Sequence, residues 1–267
     1  MANTFWQKQA PDKPLFADLI WSRPENKRQA GKLLVIGGNK HGFAAPAAAF
    51  QAAAKAGIGT SRVLLPDSLK RTVGTSFIEA DFAPSTPSGS FAKTALAQFL
   101  EHADWADGVI LAGDFGRNSE TAILLGSFVD KYSGLLAVAG DSLDYFLHGN
   151  SPVLNRENTL LVINLGKLQK LAKNNNPQIL IKHADGLLEL ANKLSDWSQT
   201  ANTFFITKHA DNLLAAVSGQ VSYTPEAAES HWQIELAAYG ATWLIQQSQK
   251  PFEALTSAVF SYLGPKK

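Results

Sequence analysis

The stretch "KLLVIGGNKHGFAAPAAAFQAAAKAGIGTSRVLLP", residues 32–66, sets the reading of the chain. Its first seven residues form a short, continuously apolar run, the pattern of a strand buried on both faces of a parallel sheet. Gly37, Gly38 and Asn39 break that run, Gly42 follows, and an alanine-rich segment over 45–56 reads as a helix with Pro46 near its start. A second apolar run, 61–66, then begins another strand. The unit is strand, tight turn, helix, strand.

The same alternation continues. Apolar runs at 107–113, 134–140 and 158–164 read as further buried strands, and 90–102, 118–131 and 141–147 as helices between or beside them. Together they predict an α/β chain of layered architecture with a mostly parallel central sheet. The last third changes character. Leu187, Leu190, Leu194 and Trp197 fall on one face of a helix. Residues 202–225 read as strands turning at Ser218-Gly219-Gln220, an antiparallel extension of the sheet. Two helices close the chain, over 226–248 and 251–263, the second entered through Pro251. For the first, Thr224 as N-cap with Pro225 as first helical residue competes with a capping box at Ser230-x-x-Gln233.

"APSTPSGS" (83–90) is a surface connection, and no linker or charge block divides residues 1–267, which read as a single domain. "KHADGLL" (182–188) and "KHADNLL" (208–214) form one near-repeat, too little for a repeat architecture.

Composition narrows the function. The 267 residues are 45% hydrophobic and 18% charged, and 24 Lys plus Arg against 23 Asp plus Glu give a formal charge of +1. That balance favours neither nucleic acid nor an acidic membrane as partner, and points to a small molecule. With no cysteine, disulfides, thiolate metal sites and a cysteine nucleophile are excluded. The six histidines show no metal-ligand spacing. Neither a signal-peptide core nor a membrane-length apolar run occurs, so the expected location is the cytoplasm.

Candidate site residues gather after predicted strands, where open α/β sheets bind ligands. Gly37, Gly38, Asn39 and Gly42 could bring backbone amides and a helix N-terminus to a ligand, or simply make a turn. In "LAGDFGRNSE" (111–120), Gly113 and Gly116 permit close approach, Asn118 is a candidate N-cap, and Asp114 and Arg117 stand at the mouth or form a solvated pair. Phe43 and Phe115, one in each loop, would wall a cleft or occlude it. Asp141 would contact a ligand or cap the following helix. Lys208 ends a predicted strand, where it would neutralise a phosphate or snorkel, and Glu235 is a helical acid.

The order "RQAGKLLVIGGNKHGFAAPAAAFQAAAKAGIGTSRVLLP" resembles the ADP/ATP-dependent NAD(P)H-hydrate dehydratases of the ribokinase-like superfamily. The family's "GPGLG" matches Gly113 to Arg117, its "DADAL" keeps Asp141 and Leu143, its "LKG" lysine matches Lys208, and its last helix matches "PFEALTSAVF". The resemblance implies a ribokinase-like three-layer α/β/α fold and nucleotide-dependent repair of hydrated NAD(P)H. Its ligands would be ATP or ADP with Mg2+ and an NAD(P)H-type dinucleotide, with a homo-oligomer as a further expectation. Gly37, Gly38, Asn39, Gly42, Gly113, Asp114, Gly116 and Asp141 would face the dinucleotide, and Lys208 the nucleotide.

One motif is missing. The family's "GTGD", whose amides form the anion hole and whose aspartate is the base, falls on Trp232-Gln233-Ile234-Glu235. Glu235 would be a longer substitute base. The family's "TPH-x-x-E" falls on 162–167 and loses its histidine and glutamate. Weak or lost catalysis is therefore expected, the alternatives being a degenerate protein that binds a nucleotide or partner, or a divergent small-molecule kinase.

Overall fold

The continuous apolar runs form the centre of one ten-stranded sheet. The computed structural model describes residues 5–74, 77–225 and 232–264. In chain order the elements are β1 (Trp6–Lys8), α1 (Ala17–Trp21), β2 (Lys32–Gly37), α2 (Ala44–Ala56), β3 (Thr60–Pro66), α3 (Lys70–Val73) and β4 (Ala80–Ala83). There follow α4 (Leu96–Trp105), β5 (Gly108–Gly113), α5 (Ser119–Lys131), β6 (Leu135–Ala139), β7 (Thr159–Asn164) and α6 (Leu165–Asn175). The chain continues with α7 (Leu187–Thr200), β8 (Thr203–His209), β9 (Asn212–Val217), β10 (Gln220–Pro225), α8 (Trp232–Gln246) and α9 (Pro251–Leu263).

Strand order across the sheet is β1-β10-β9-β8-β7-β6-β5-β2-β3-β4. From β8 to β4 each neighbouring pair is parallel, while β9 pairs antiparallel with both β8 and β10. The antiparallel extension therefore lies at one end, as expected. Side chains alternate between two cores: Leu34, Ile36, Val109, Leu111, Leu161 and Ile163 enter one, and Leu33, Val35, Ile110, Ala112, Leu160 and Val162 the other. Burial on both faces is what makes these strands apolar throughout.

Small side chains let two helices share one face. Ala49, Ala52 and Ala53 of α2 are buried with Ala237, Ala238 and Ala241 of α8 in the second core. Asn118 caps α5 as its sequence position suggests, accepting from the amides of Glu120 (2.8 Å) and Thr121 (3.3 Å). Pro251 opens α9.

Several readings are corrected. Thr224 and Pro225 do not start a helix; they end β10, opposite Leu213 and Asn212 of β9. A proline is tolerated at a strand end, and the register with β9 decides what local pattern could not. Of the competing capping box, Ser230 lies outside the described residues, and the Gln233 amide group donates to Val162 O (3.3 Å). Residues 140–146 form 3-10 turns rather than an α-helix, and the helix expected over 90–102 is α4, which begins six residues later and ends three later. The near-repeat takes two structures: residues 182–188 lead into α7, whereas 208–214 make the β8–β9 hairpin. Among the described residues no helix is long and apolar enough to cross a membrane.

Candidate functional site

The direction of strand succession reverses between β2 and β5: β2 is followed outward by β3 and β4, and β5 by β6 and β7 on the other side. At such a switch point the loops after the two strands diverge and open a crevice. Both glycine loops of the sequence sit here.

The first loop is spent on the protein itself. Gly38 N–H donates to Gly113 O (3.0 Å), Asn39 N–H to Gly42 O (3.0 Å), Lys40 N–H to Gly89 O (2.8 Å) and Gly42 N–H to Asn39 O (2.9 Å). His41 N–H donates to Asn39 Oδ1 (2.8 Å). All five amides from Gly38 to Gly42 thus have partners within the protein, and the loop is a closed turn. Gly37 is required by contact, since a Cβ there would lie 2.5 Å from Gly113 O.

The second loop turns its acid inward. Asp114 has φ +58°, a left-handed conformation uncommon outside glycine. Three hydrogen bonds hold it: its N–H donates to Asp141 Oδ1 (2.7 Å), its carbonyl accepts from the Asn39 side-chain amide (2.5 Å), and its Oδ2 accepts from Ala45 N–H (2.8 Å). The last bond places a carboxylate at the N-terminus of α2, the position where a helix attracts anions. An internal aspartate fills the place a ligand phosphate would take. Asp114 and Arg117 form no surface pair.

Asp141, in the turn after β6, reaches the same point. Gly113 makes room for it, because a Cβ there would lie 2.5 Å from Asp141 Oδ1. Asp141 Oδ1 accepts from the Asp114 amide, across the crevice and not within its own turn. Its carboxyl is held above the usual carboxylate range, chiefly by burial; the Asp114 amide opposes this, the charges of Asp114 and Asp144 add to it, and Lys167 opposes it. Lys167, in the first turn of α6, donates to Gly140 O (2.8 Å) and pairs with Asp144 (2.7 Å). Asn164 fixes that turn by accepting from Lys167 N–H (2.9 Å).

An inner cavity of about 300 Å3 lies between these groups and α8, lined by Ala45, Ala112, Asp114, Gly140, Asp141, Gln233 and Ile234. Asp114 Oδ1 and Asp141 Oδ2 have no protein partner among the described residues. α8 contributes Ile234 and Gln233 to the lining: a Cβ added to Gly140 would lie 2.8 Å from Ile234 Cδ1, Ile234 is buried, and the Gln233 side-chain amide is the polar group on that side. Glu235 does not line this cavity; its charge acts instead on Tyr239, one turn along α8. Lys208, the last residue but one of β8, lies opposite Asn164, three strands from the switch point.

The structure therefore gathers Gly37, Gly38, Asn39, Gly113, Asp114 and Asp141. Gly116 lines a wider neighbouring cavity, Gly42 closes its own turn, and Lys208 and Glu235 stand apart. Phe115 is fully buried against Phe91 and Tyr145, while Phe43 faces a separate groove with Phe50 and Phe77. Sequence reading missed Lys167 and Tyr145. The signal for Lys167 was Asn164 at a strand end, three residues ahead of it, an N-cap pattern. No group of three His, Asp or Glu side chains is placed to hold a metal among the described residues. Mg2+, which is commonly held by one or two carboxylates plus phosphate oxygens and waters, would have to arrive with its phosphates.

No protein-family model matches the chain, and no curated protein does. Solved structures do. A ribokinase-like superfamily protein from Enterococcus faecalis V583 superposes with TM-score 0.70 at 14% identity, over 98% of this chain and 88% of that one. The ADP/ATP-dependent NAD(P)H-hydrate dehydratase of Bacillus subtilis, co-crystallised with ATP/Mg2+ and soaked with CoA, gives 0.60 at 13% identity over 92% and 86%. The pyridoxal kinase of Staphylococcus aureus in complex with AMP-PCP gives 0.53 at 12% over 85% of each chain. The fold is ribokinase-like.

Proposed function

We propose that this chain is a ribokinase-fold relative of the NAD(P)H-hydrate dehydratases that binds a nucleoside or dinucleotide ligand and does not carry out nucleotide-dependent phosphoryl transfer. The observation that carries the reading is the inner cavity, lined on α8 by Ile234 and Gln233 and faced by the Asp114 and Asp141 carboxylates. Phosphoryl transfer needs donors or cations around the migrating group. Here α8 offers the Ile234 methyl group and Gln233, whose side-chain amide already donates to Val162 O, and two acids face them. At an effective dielectric constant of about 20, two like unit charges ~4 Å apart repel by about 4 kcal/mol, so a phosphate placed between them is opposed.

The same carboxylates suit hydroxyl donors. An ionised carboxylate only accepts hydrogen bonds, and the free oxygens of Asp114 and Asp141 would take the hydroxyls of a ribose. Nucleotide complexes among proteins of this fold support the ligand class. Thermal unfolding in the presence of NAD, NADP, ADP-ribose and adenosine tests it, because a ligand of the folded state raises its apparent stability. At least one of these raises Tm, and Asp141→Ala removes the shift. If none of them shifts Tm, or if the shift persists in Asp141→Ala, the reading is wrong.

A further inference from the structure

We propose that the wider cavity outside Asp141 is the phosphate subsite of this ligand, with Arg117 and Lys170 as its anion-binding pair, so that the ligand class is a nucleoside 5′-phosphate. The inference rests on the reading that ribose hydroxyls meet Asp114 and Asp141. This cavity has a volume of about 800 Å3 and shares Asp141 with the inner one. A single ligand could therefore reach both.

Charge divides across that shared residue. Inward lie two carboxylates; outward, Arg117 from the loop after β5 and Lys170 from α6 face the wider cavity, with His148 beside them. Its other acid, Asp144, is already paired with Lys167 at 2.7 Å. No carboxylate lies within ion-pair distance of Arg117 or Lys170 among the described residues. Two cations on separate elements flank an opening and are not neutralised. A phosphate spreads its charge over three oxygens and can accept from cations on more than one side, which a carboxylate with two oxygens does less well.

The walls are fixed in advance. The Tyr145 hydroxyl donates to Gly116 O, tying the turn after β6 to the loop after β5. Asn174 Nδ2 donates to Leu147 O (2.6 Å) and Asn175 Nδ2 to His148 O (3.0 Å), tying that turn to α6. Such cross-links spare a ligand the cost of ordering the site. Tyr145, whose ring meets Phe115 edge to face at 6.3 Å, adds an aromatic wall. The other anion positions at the switch point are taken: Asp114 occupies the start of α2, and the amides from Gly38 to Gly42 all have partners.

Calorimetric titration of the whole protein with adenosine, adenosine 5′-monophosphate and ribose 5-phosphate tests the inference. The two phosphorylated probes are expected to bind with an affinity that falls as ionic strength rises, and the monophosphate at least about tenfold more tightly than adenosine. In the Arg117→Ala/Lys170→Ala double variant the advantage over adenosine disappears while adenosine binding is kept. Both side chains are exposed, so the variant is expected to fold, and an unchanged Tm checks this. Equal binding of adenosine and its monophosphate, or an advantage that survives in the double variant, overturns the subsite and leaves the ribose reading standing. No binding of any probe overturns both.

Discussion

Replacing Gly113 by alanine is the sharpest structural test of how the two loops meet. The backbone there has φ +110°. An L-residue held at positive φ costs roughly 1–2 kcal/mol. The new methyl would also lie 2.5 Å from Asp141 Oδ1, a contact that forces the carboxylate away from the Asp114 amide it accepts. Overpacking of this kind costs roughly 1–3 kcal/mol, so the total is about 2–5 kcal/mol, or on the order of 10 °C in Tm for a chain of this size. Denaturant unfolding of Gly113→Ala, Asp141→Ala and the double variant separates the parts. Without the carboxylate only the backbone part remains, so the coupling between the two substitutions is expected at roughly 1–3 kcal/mol. A neutral Gly113→Ala, or a coupling below about 0.5 kcal/mol, refutes the reasoning.

Asn118→Ala removes the side-chain cap of α5 and is expected to cost about 1 kcal/mol in denaturant unfolding. A loss below ~0.3 kcal/mol would mean that water replaces the cap at no cost. Asp141→Asn probes the raised carboxyl. With its folded pKa above the unfolded value, the ionised carboxyl destabilises the fold at neutral pH, and that penalty is relieved as pH falls through the raised pKa toward the ordinary carboxylate value. The variant should therefore gain stability relative to the native chain at pH 7 and lose that gain in acid; a gain independent of pH would contradict the assignment.

The parallel core was legible in the sequence because burial on both faces forces continuous apolar runs, and those runs became β2, β3, β5, β6 and β7. The edges were not. β1 and β4 are three and four residues long, half-covered at most positions, and carry no periodicity to read. Thr224-Pro225 shows the limit of local pattern: the pair satisfies a helix start and a strand end equally, and β9, reached through the chain's own turn, decides. Asp114 shows the same limit for the site. Its neighbours left open an acid at a cleft mouth or a solvated pair with Arg117, and what distinguishes them is its partners, Ala45 and Asp141, 69 and 27 residues away. The glycines were visible, but what they make room for is Asp141 and a neighbouring strand end, and only the register of β2 with β5 reveals that.

Loss of phosphoryl transfer with retention of a ligand site is the central claim, and phosphate release measures it most directly. The protein incubated with hydrated NADH and either ATP or ADP is expected to release no phosphate above the uncatalysed background. Nucleotide-dependent release coupled to restoration of NADH, abolished by Glu235→Gln, would contradict the claim and restore Glu235 as a working base.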